Sequence, residues 1–309
     1  MSRGNESKVG EFKVRNQRRK IGIAAVATTA IATVFAVPGL AEHSWSNYHW
    51  QRENPEIIIP VVDFTTGEWA ANNRAQIAVA DWNASEYIQS PHIVGTGSNT
   101  NCPIVSGEIH VCNDDYGGTG WLGIASISVS RGKDKHIVGG VTKVNDFYFD
   151  RDQPGSGYNT DVWRQLVMCQ EIGHDYGLGH QNEDFNTNTT DSCMEYTSTP
   201  TAIDKTPDDH DYEQLRTIYA HSHGSTDDGG GGGGGGGKGG GRGRPAELPS
   251  VGNTPDSWGR PVQFLPNGMP HIYSRDIGSY RVITHVTWTI EAARDLMPHG
   301  HGGGGDHDH

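Results

Sequence analysis

The sequence predicts an α+β fold, and three of its patterns support this prediction. Runs rich in β-branched residues alternate with segments whose apolar residues recur at helical spacing. A glycine-rich stretch then divides the chain of 309 residues into a larger and a smaller part. We therefore expect a main domain of strands and helices, followed by a small β appendage.

The N-terminal segment, residues 1–41, has the pattern of a secretory signal peptide. A basic cluster at 18–20 precedes the apolar run 21–37, and small residues before Ala41 mark a cleavage site. The apolar run is shorter than the ~20 residues that a membrane span needs. An uncleaved membrane anchor is the alternative, and general secretory and twin-arginine export both stay open. We predict a secreted, extracellular protein.

The main domain is predicted at 42–228, and its elements follow from residue periodicity. The predicted strands are 55–64, 120–129 and 136–149. The predicted helices are 68–83, 161–173, which Asn159 or Thr160 would cap, and 209–221. The segment between about residue 90 and Cys112 is rich in Gly, Ser and Asn, so we expect a loop there.

The C-terminal part begins after an abrupt change in composition. Residues 229–244 are almost all glycine, which cannot bury a core and predicts a flexible linker. In 245–297 a Pro-Asn-Gly turn and an alternating strand at 280–290 predict the small β appendage. The His- and Gly-rich tail, 298–309, is expected to be disordered, and its histidines either bind metal loosely or have no function.

Charge and cysteine content narrow the class of protein. The formal net charge of −13 argues against a nucleic-acid partner, which would require a basic face. An even number of cysteines behind a signal peptide predicts disulfides. Three pairings are possible, and we favour Cys102–Cys112, which closes a local loop, with Cys169–Cys193.

One stretch, Gln-Glu-Ile-Gly-His-Asp-Tyr-Gly-Leu-Gly-His, has the spacing of a metal site. On a helix Gln170 and His174 lie about 40° apart, so both side chains can reach one ion. Glu171 lies beside them and can address a metal-bound water. Gly177 can adopt positive φ and end the helix, after which the chain returns His180 to the same ion. Three protein ligands with an open position are typical of a catalytic zinc site.

This stretch resembles the signature H-E-x-x-H-x-x-G-x-x-H of the metzincin zinc metallopeptidases, in its matrixin form. Gln170 departs from it, because that signature has histidine at the first position. The segment 192–196 resembles the Met-turn of the same clan. The resemblance implies that Met194 forms an apolar floor under the metal. It also implies that Tyr196 is a mobile tyrosine that stabilises the oxyanion.

The resemblance covers roughly residues 55–223 and carries expectations about the fold. It implies a twisted five-stranded sheet, an active-site helix below it and a smaller C-terminal subdomain. It also implies that either 120–129 or 136–149 is the edge strand that pairs with an extended peptide.

Gln170 leaves three outcomes open, because a carboxamide oxygen suits zinc less well than imidazole. Gln170 could ligate zinc in a working enzyme. Two histidines with Tyr196 or water could bind metal with little turnover. The fold could instead be a non-catalytic module that binds peptides or proteins. Cys169 is not expected to ligate, because it would lie about 140° from His174 around the helix.

The sequence therefore predicts a secreted, monomeric zinc metalloendopeptidase that acts on a peptide or protein substrate. Zinc would be the cofactor, held by Gln170, His174 and His180. Glu171 would be the general base, and Tyr196 would bond the oxyanion. On the same grounds, replacing Gln170 by histidine is expected to tighten zinc binding.

Overall fold

The computed structural model describes residues 43–44, 46, 48–51, 56–96, 101–132, 135–149, 157–220 and 246–295. The predicted signal peptide, the glycine-rich linker and the C-terminal tail lie outside these residues. Within them, no helix combines the length and hydrophobicity that crossing a membrane requires.

The described residues form seven α-helices and nine strands. The helices are α1 (Gly67–Ala71), α2 (Arg74–Trp82), α3 (Asp146–Phe149), α4 (Asp161–Asp175), α5 (Asp209–Tyr219), α6 (Pro255–Trp258) and α7 (Ile290–Asp295). The strands are β1 (His49–Trp50), β2 (Val61–Asp63), β3 (His92–Val94), β4 (Ile109–Asp114), β5 (Trp121–Ser130), β6 (His136–Asn145), β7 (Arg260–Phe264), β8 (Pro270–Ile277) and β9 (Tyr280–Trp288).

All described strands join one mixed, twisted sheet in the order β3-β2-β4-β6-β5-β9-β8-β7, with β1 paired to β6. β2, β3, β4 and β6 pair in parallel, whereas β5, β9, β8 and β7 pair antiparallel. The helix α4 packs against β5, β6 and β9. This arrangement confirms the predicted α+β class. The five strands that the resemblance implies are followed in the sheet by three more.

The segment predicted as an appendage extends the main sheet. Its last strand, β9, pairs with β5 along nearly the whole length of both strands. The prediction that 120–129 or 136–149 is a free edge is therefore wrong. β5 lies between β6 and β9, β6 lies between β4 and β5, and the described edges of the sheet are β3 and β7.

Other local predictions also differ from the structure. The strand expected at 55–64 is a regular strand only at Val61–Asp63, with an isolated bridge at Ile57. The helix expected at 68–83 is divided into α1 and α2 at Asn73, which has φ of 52°. The strand expected to reach residue 149 ends at Asn145 and continues as α3. The expected loop after residue 90 contains β3 and β4, whose pairing partners lie elsewhere in the chain.

The main core fills the space between the sheet, α4 and α2. Trp82 of α2 is fully buried, and its Nε1 donates a hydrogen bond of 3.0 Å to Cys169 O on α4. Gly173 is required at this crossing, because a Cβ there would lie 2.5 Å from the Trp82 ring. Close packing thus fixes α4 with one face against the sheet.

Candidate metal centre

α4 presents the first part of the sequence motif on one buried face. Its N-cap is Thr160, whose side chain accepts a hydrogen bond of 3.2 Å from Trp163 N, as one of the two predicted caps should. Gln170, Glu171 and His174 are all fully buried in the last turns of the helix.

The turn after α4 has the conformation that the motif requires. Gly177 has φ of 95°, and a Cβ there would collide with Tyr48 O, so only glycine fits. The carbonyl of Leu178 then accepts a hydrogen bond of 2.8 Å from His174 Nδ1. Because a carbonyl can only accept, Nδ1 carries the hydrogen and the lone pair of His174 lies on Nε2.

His180 returns to His174 as the spacing predicts. The two Nε2 atoms lie 3.2 Å apart, and the rings meet edge to face. His180 Nδ1 is buried and has no hydrogen-bond partner among the described residues. A buried polar nitrogen without a partner is costly and indicates an absent ligand or solvent molecule.

Two further histidines, which the sequence analysis did not select, come from the C-terminal strands. His285 of β9 stacks on His174 with ring centroids 3.6 Å apart. His271 of β8 lies 5.6 Å from His180 and 5.4 Å from His285 between ring centroids. The sequence contains a signal that points to His285. It is a single histidine in an alternating strand, and the motif of this chain has Gln170 where a histidine ligand is expected.

Among the residues that the structure describes, two groups of side chains could hold a metal ion. In each, the ligand atoms lie within 4.8 Å of one another. The first contains His174, His180 and His285, all buried. The second contains His180, Glu183 and His271, and shares His180 with the first.

Burial keeps these imidazoles neutral. It lowers the pKa of His174 and of His271 to about 3, and it lowers the pKa of His180 and His285 well below the usual range. Neutral imidazole is the form that binds a metal. Burial also raises the pKa of Glu171 well above its usual range.

The amide of Gln170 makes three hydrogen bonds within the protein. Nε2 donates to Cys193 O and to Glu195 O, at 2.9 Å each. Oε1 accepts a bond of 2.7 Å from the hydroxyl of Thr287 on β9. These contacts favour a structural role for an amide that the sequence analysis expected to ligate metal.

Met194 lies beside Gly173 of α4, and Tyr196 contacts His180. Met194 is fully buried, and a Cβ on Gly173 would lie 2.6 Å from its Sδ. The ring of Tyr196 contacts His180 at 4.9 Å between centroids. Its hydroxyl accepts a hydrogen bond of 2.7 Å from Trp288 N, so β9 also holds the tyrosine in place.

Both favoured disulfides are present, Cys102–Cys112 and Cys169–Cys193. The second ties α4 to the segment that contains Met194, as the sequence analysis expects. Cys169 is therefore not available as a thiolate ligand.

A cavity of about 340 Å³ borders the histidine cluster. His180 and His285 form part of its wall, and the rest is mostly polar: His43, Gln181, Asn182, Glu183 and Gln263. A small polar molecule or one end of a chain could approach the cluster through this cavity.

Comparison with known proteins gives only distant matches. No protein-family model matches the chain, and no curated protein matches it. It is similar to a solved structure of high choriolytic enzyme 1, a hatching enzyme zinc-protease from Oryzias latipes (medaka fish). That match has 13% identity and a TM-score of 0.31, and covers 57% of this chain and 96% of the other. A structure of myroilysin matches with 14% identity and a TM-score of 0.33, covering 58% and 99%. These scores are too low to assign a function.

Proposed function

We propose that this protein is a secreted zinc-dependent hydrolase that cleaves peptide bonds. The observation that carries the proposal is the pair of His174 and His180, whose Nε2 atoms lie 3.2 Å apart, with the buried Glu171 three residues before His174 on α4. The resemblance of this motif to the metzincin signature supports the same assignment.

The histidine pair fits zinc in donor type and in spacing. Imidazole nitrogens bind zinc at about 2.0–2.1 Å, so two of them in a tetrahedral shell lie about 3.3 Å apart. The observed separation of 3.2 Å is close to this value. Gln170 and His285 are the two candidates for a third ligand.

Glu171 and Tyr196 would have separate roles in peptide-bond hydrolysis. A bound zinc ion would acidify water and polarise the scissile carbonyl. Glu171, whose pKa burial raises, would take a proton and pass it to the leaving amine. The hydroxyl of Tyr196 accepts from Trp288 N, so its own hydrogen remains available to an oxyanion.

A second candidate function is a zinc-containing binding protein with little peptidase activity. The observation that favours it is the pairing of β9 with β5, because this pairing occupies the strand to which an extended peptide would add. A substrate would instead have to reach the cluster through the cavity beside His180.

Export is part of the proposal and rests on the sequence pattern of residues 1–41 and on the two disulfides. Expression in an exporting host should place the protein in the medium with an N-terminus at residue 42. A protein that stays in the membrane fraction with its N-terminal segment attached would instead support the anchor.

Metal analysis beside a protease assay tests the function. The purified chain should contain zinc and should cleave unstructured proteins, whereas Glu171→Gln should contain zinc and cleave nothing. Zinc without cleavage in both proteins would favour the binding module. Equal cleavage by both would identify a contaminating protease.

A further inference from the structure

We propose that His285 of β9 is the third zinc ligand, and that Gln170 is a positioning residue that holds β9 against α4. The proposal rests on the function proposed above and names the ligand that this function leaves open. It replaces the ligand role that the sequence assigns to Gln170.

The contacts of Gln170 argue for positioning. An amide nitrogen has two hydrogens, and both are used by fixed carbonyls in the segment of Cys193 and Glu195. These two hydrogen bonds orient the amide so that Oε1 faces β9, where it accepts a hydrogen bond from the hydroxyl of Thr287. A residue held from both sides in this way joins three parts of the chain: α4, the Met-turn segment and β9.

The spacing of helix and strand places His285 opposite His174. Four residues along a helix advance about 6.0 Å, and two residues along a strand advance about 6.7 Å. Gln170 of α4 contacts Thr287 of β9. His174 lies four residues after Gln170, and it stacks on His285, which lies two residues before Thr287. The two steps match because β9 runs in the opposite direction to α4. The first contact therefore supports the second, within the register that the pairing of β9 with β5 and β8 gives.

Register matters because side chains alternate along a strand. His285 and Thr287 share the face of β9 that packs on α4, together with Ile283 of the main core. A slip of one residue would place the other face of the strand, with Thr284 and Val286, against the helix. His285 would then point away from the cluster.

The group of His174, His180 and His285 is favoured over the group of His180, Glu183 and His271. Its three donors are all imidazoles, which suit zinc, and two of them are already placed by the motif. Glu183 is partly exposed and accepts a hydrogen bond from Gln263. The second group also lacks His174, which the turn at Gly177 orients.

Zinc affinity, measured by competition with a chelator, tests the ligand assignment on the full chain. His285→Ala should weaken zinc binding at least about 100-fold, which is the upper range for loss of an outer-shell partner. His271→Ala is the matched control, because it removes a buried histidine from the neighbouring strand, and it should change affinity by less than the roughly 10-fold that loss of an outer-shell partner causes. His174→Ala should abolish binding.

The visible spectrum of the cobalt-substituted protein gives a readout that stability alone does not change. Removal of one nitrogen ligand should alter the position and intensity of the cobalt bands in His285→Ala, whereas His271→Ala should keep the parent spectrum. His285→Gln, which is larger and polar, serves if the alanine variant does not fold.

The positioning role is tested at both ends of the Gln170–Thr287 contact. Thr287→Val removes the hydroxyl and should weaken zinc binding about 10-fold, whereas Thr287→Ser keeps it and should match the parent. Gln170→His should weaken binding, because an imidazole cannot make all three hydrogen bonds. The sequence alone predicts the opposite result for this variant.

The outcomes separate this inference from the proposed function. If His285→Ala and His285→Gln bind zinc as tightly as the parent, or if Gln170→His binds it more tightly, His285 is not the ligand, and the zinc hydrolase proposal still stands. Loss of binding in His271→Ala alone would assign the second group instead. If the parent binds no zinc, both proposals fall.

Discussion

Glu171 of α4 is fully buried, and its carboxylate packs against β5. A Cβ at Gly123 of β5 would lie 2.6 Å from Glu171 Oε1, so the strand has a glycine where the carboxylate packs. Glu171→Gln keeps the shape of the side chain and removes its basicity. We expect it to lower kcat about 100- to 10,000-fold, the usual contribution of a general base.

The matched measurement for this variant is its zinc content. Glu171 does not belong to either ligand group, so the zinc stoichiometry of Glu171→Gln should equal that of the parent. Loss of zinc together with activity would mean that Glu171 is a ligand or a structural support and not the base.

The buried Lys143 of β6 should make the free energy of unfolding depend on pH, whether or not a metal is bound. It is buried, its ammonium group donates to Asn253 Oδ1 at 3.0 Å, and burial lowers its pKa to about 8 from a model-compound value of 10.5. Between these two values the unfolded chain holds a proton that the folded chain has lost. The free energy of unfolding should therefore gain a contribution that rises from pH 8 to about pH 10.5.

Urea denaturation of the metal-free protein across this range, beside Lys143→Met, measures that contribution. The variant lacks the titrating group, so the difference in unfolding free energy between the two proteins should change with pH. A difference that is constant from pH 7.5 to pH 10.5 would show that Lys143 titrates normally in the folded protein.

At the scale of elements, the Cys169–Cys193 disulfide ties α4 to the Met-turn segment. It closes a loop with a sequence separation of 24, and Gln170 donates to the carbonyl of Cys193 in the same place. Replacing both cysteines by alanine should cost about 3 kcal/mol of unfolding free energy. It should also weaken zinc binding, because the carbonyl of residue 193, which accepts a hydrogen bond from Gln170, would no longer be held in place by the disulfide.

The other disulfide is the control for this prediction. Cys102–Cys112 closes a shorter loop, with a sequence separation of 10, and its cysteines pack in a different cluster from α4. Its double alanine variant should also lose stability, by a similar amount, but keep the zinc affinity of the parent. Equal losses of affinity in both variants would indicate a general effect of stability.

At the scale of the whole molecule, the C-terminal strands are part of the main fold. β9 pairs with β5 along one edge, and Ile283 of β9 belongs to the main core, to which α4 also contributes. A chain that ends at His223 should therefore unfold at lower urea concentration than the full chain and bind zinc weakly. Circular dichroism during denaturation and a chelator titration measure both properties.

The glycine-rich linker favours the contrary expectation, in which residues 42–223 fold without the C-terminal segment. If the shortened chain unfolds cooperatively at the same urea concentration and keeps its zinc, the C-terminal strands are a separable addition. The contribution of His285 would then be excluded by the same experiment.

Local patterns in the sequence predict the elements whose contacts are local. The spacing of Gln170, His174 and His180 predicts the end of α4, the turn at Gly177 and the approach of the two histidines, because all of this takes place within eleven residues. The cap of α4 is also local, and it is found at one of the two expected residues.

The partner of β5 could not be predicted in the same way. Alternation within 280–290 indicates a strand but does not say which strand it pairs with. The glycine-rich stretch before it suggests a separate unit, and no local pattern indicates that His285 is a neighbour of His174. Strand pairing over such distances depends on the packing of the whole sheet, which a periodic pattern does not contain.

The pairing of β5 with β9 also has a consequence for how the protein folds. Ser126 and Thr284, whose hydroxyls lie 2.9 Å apart across this pair, are 158 residues apart in the chain. Contacts over such separations close late and slow folding. With His285 as a ligand, the metal centre is completed only when the last strand docks. Zinc at 100 times its dissociation constant would then add about 2.7 kcal/mol to the finished fold and little to any shorter intermediate. Bound zinc would thus stabilise only the state in which β9 has docked.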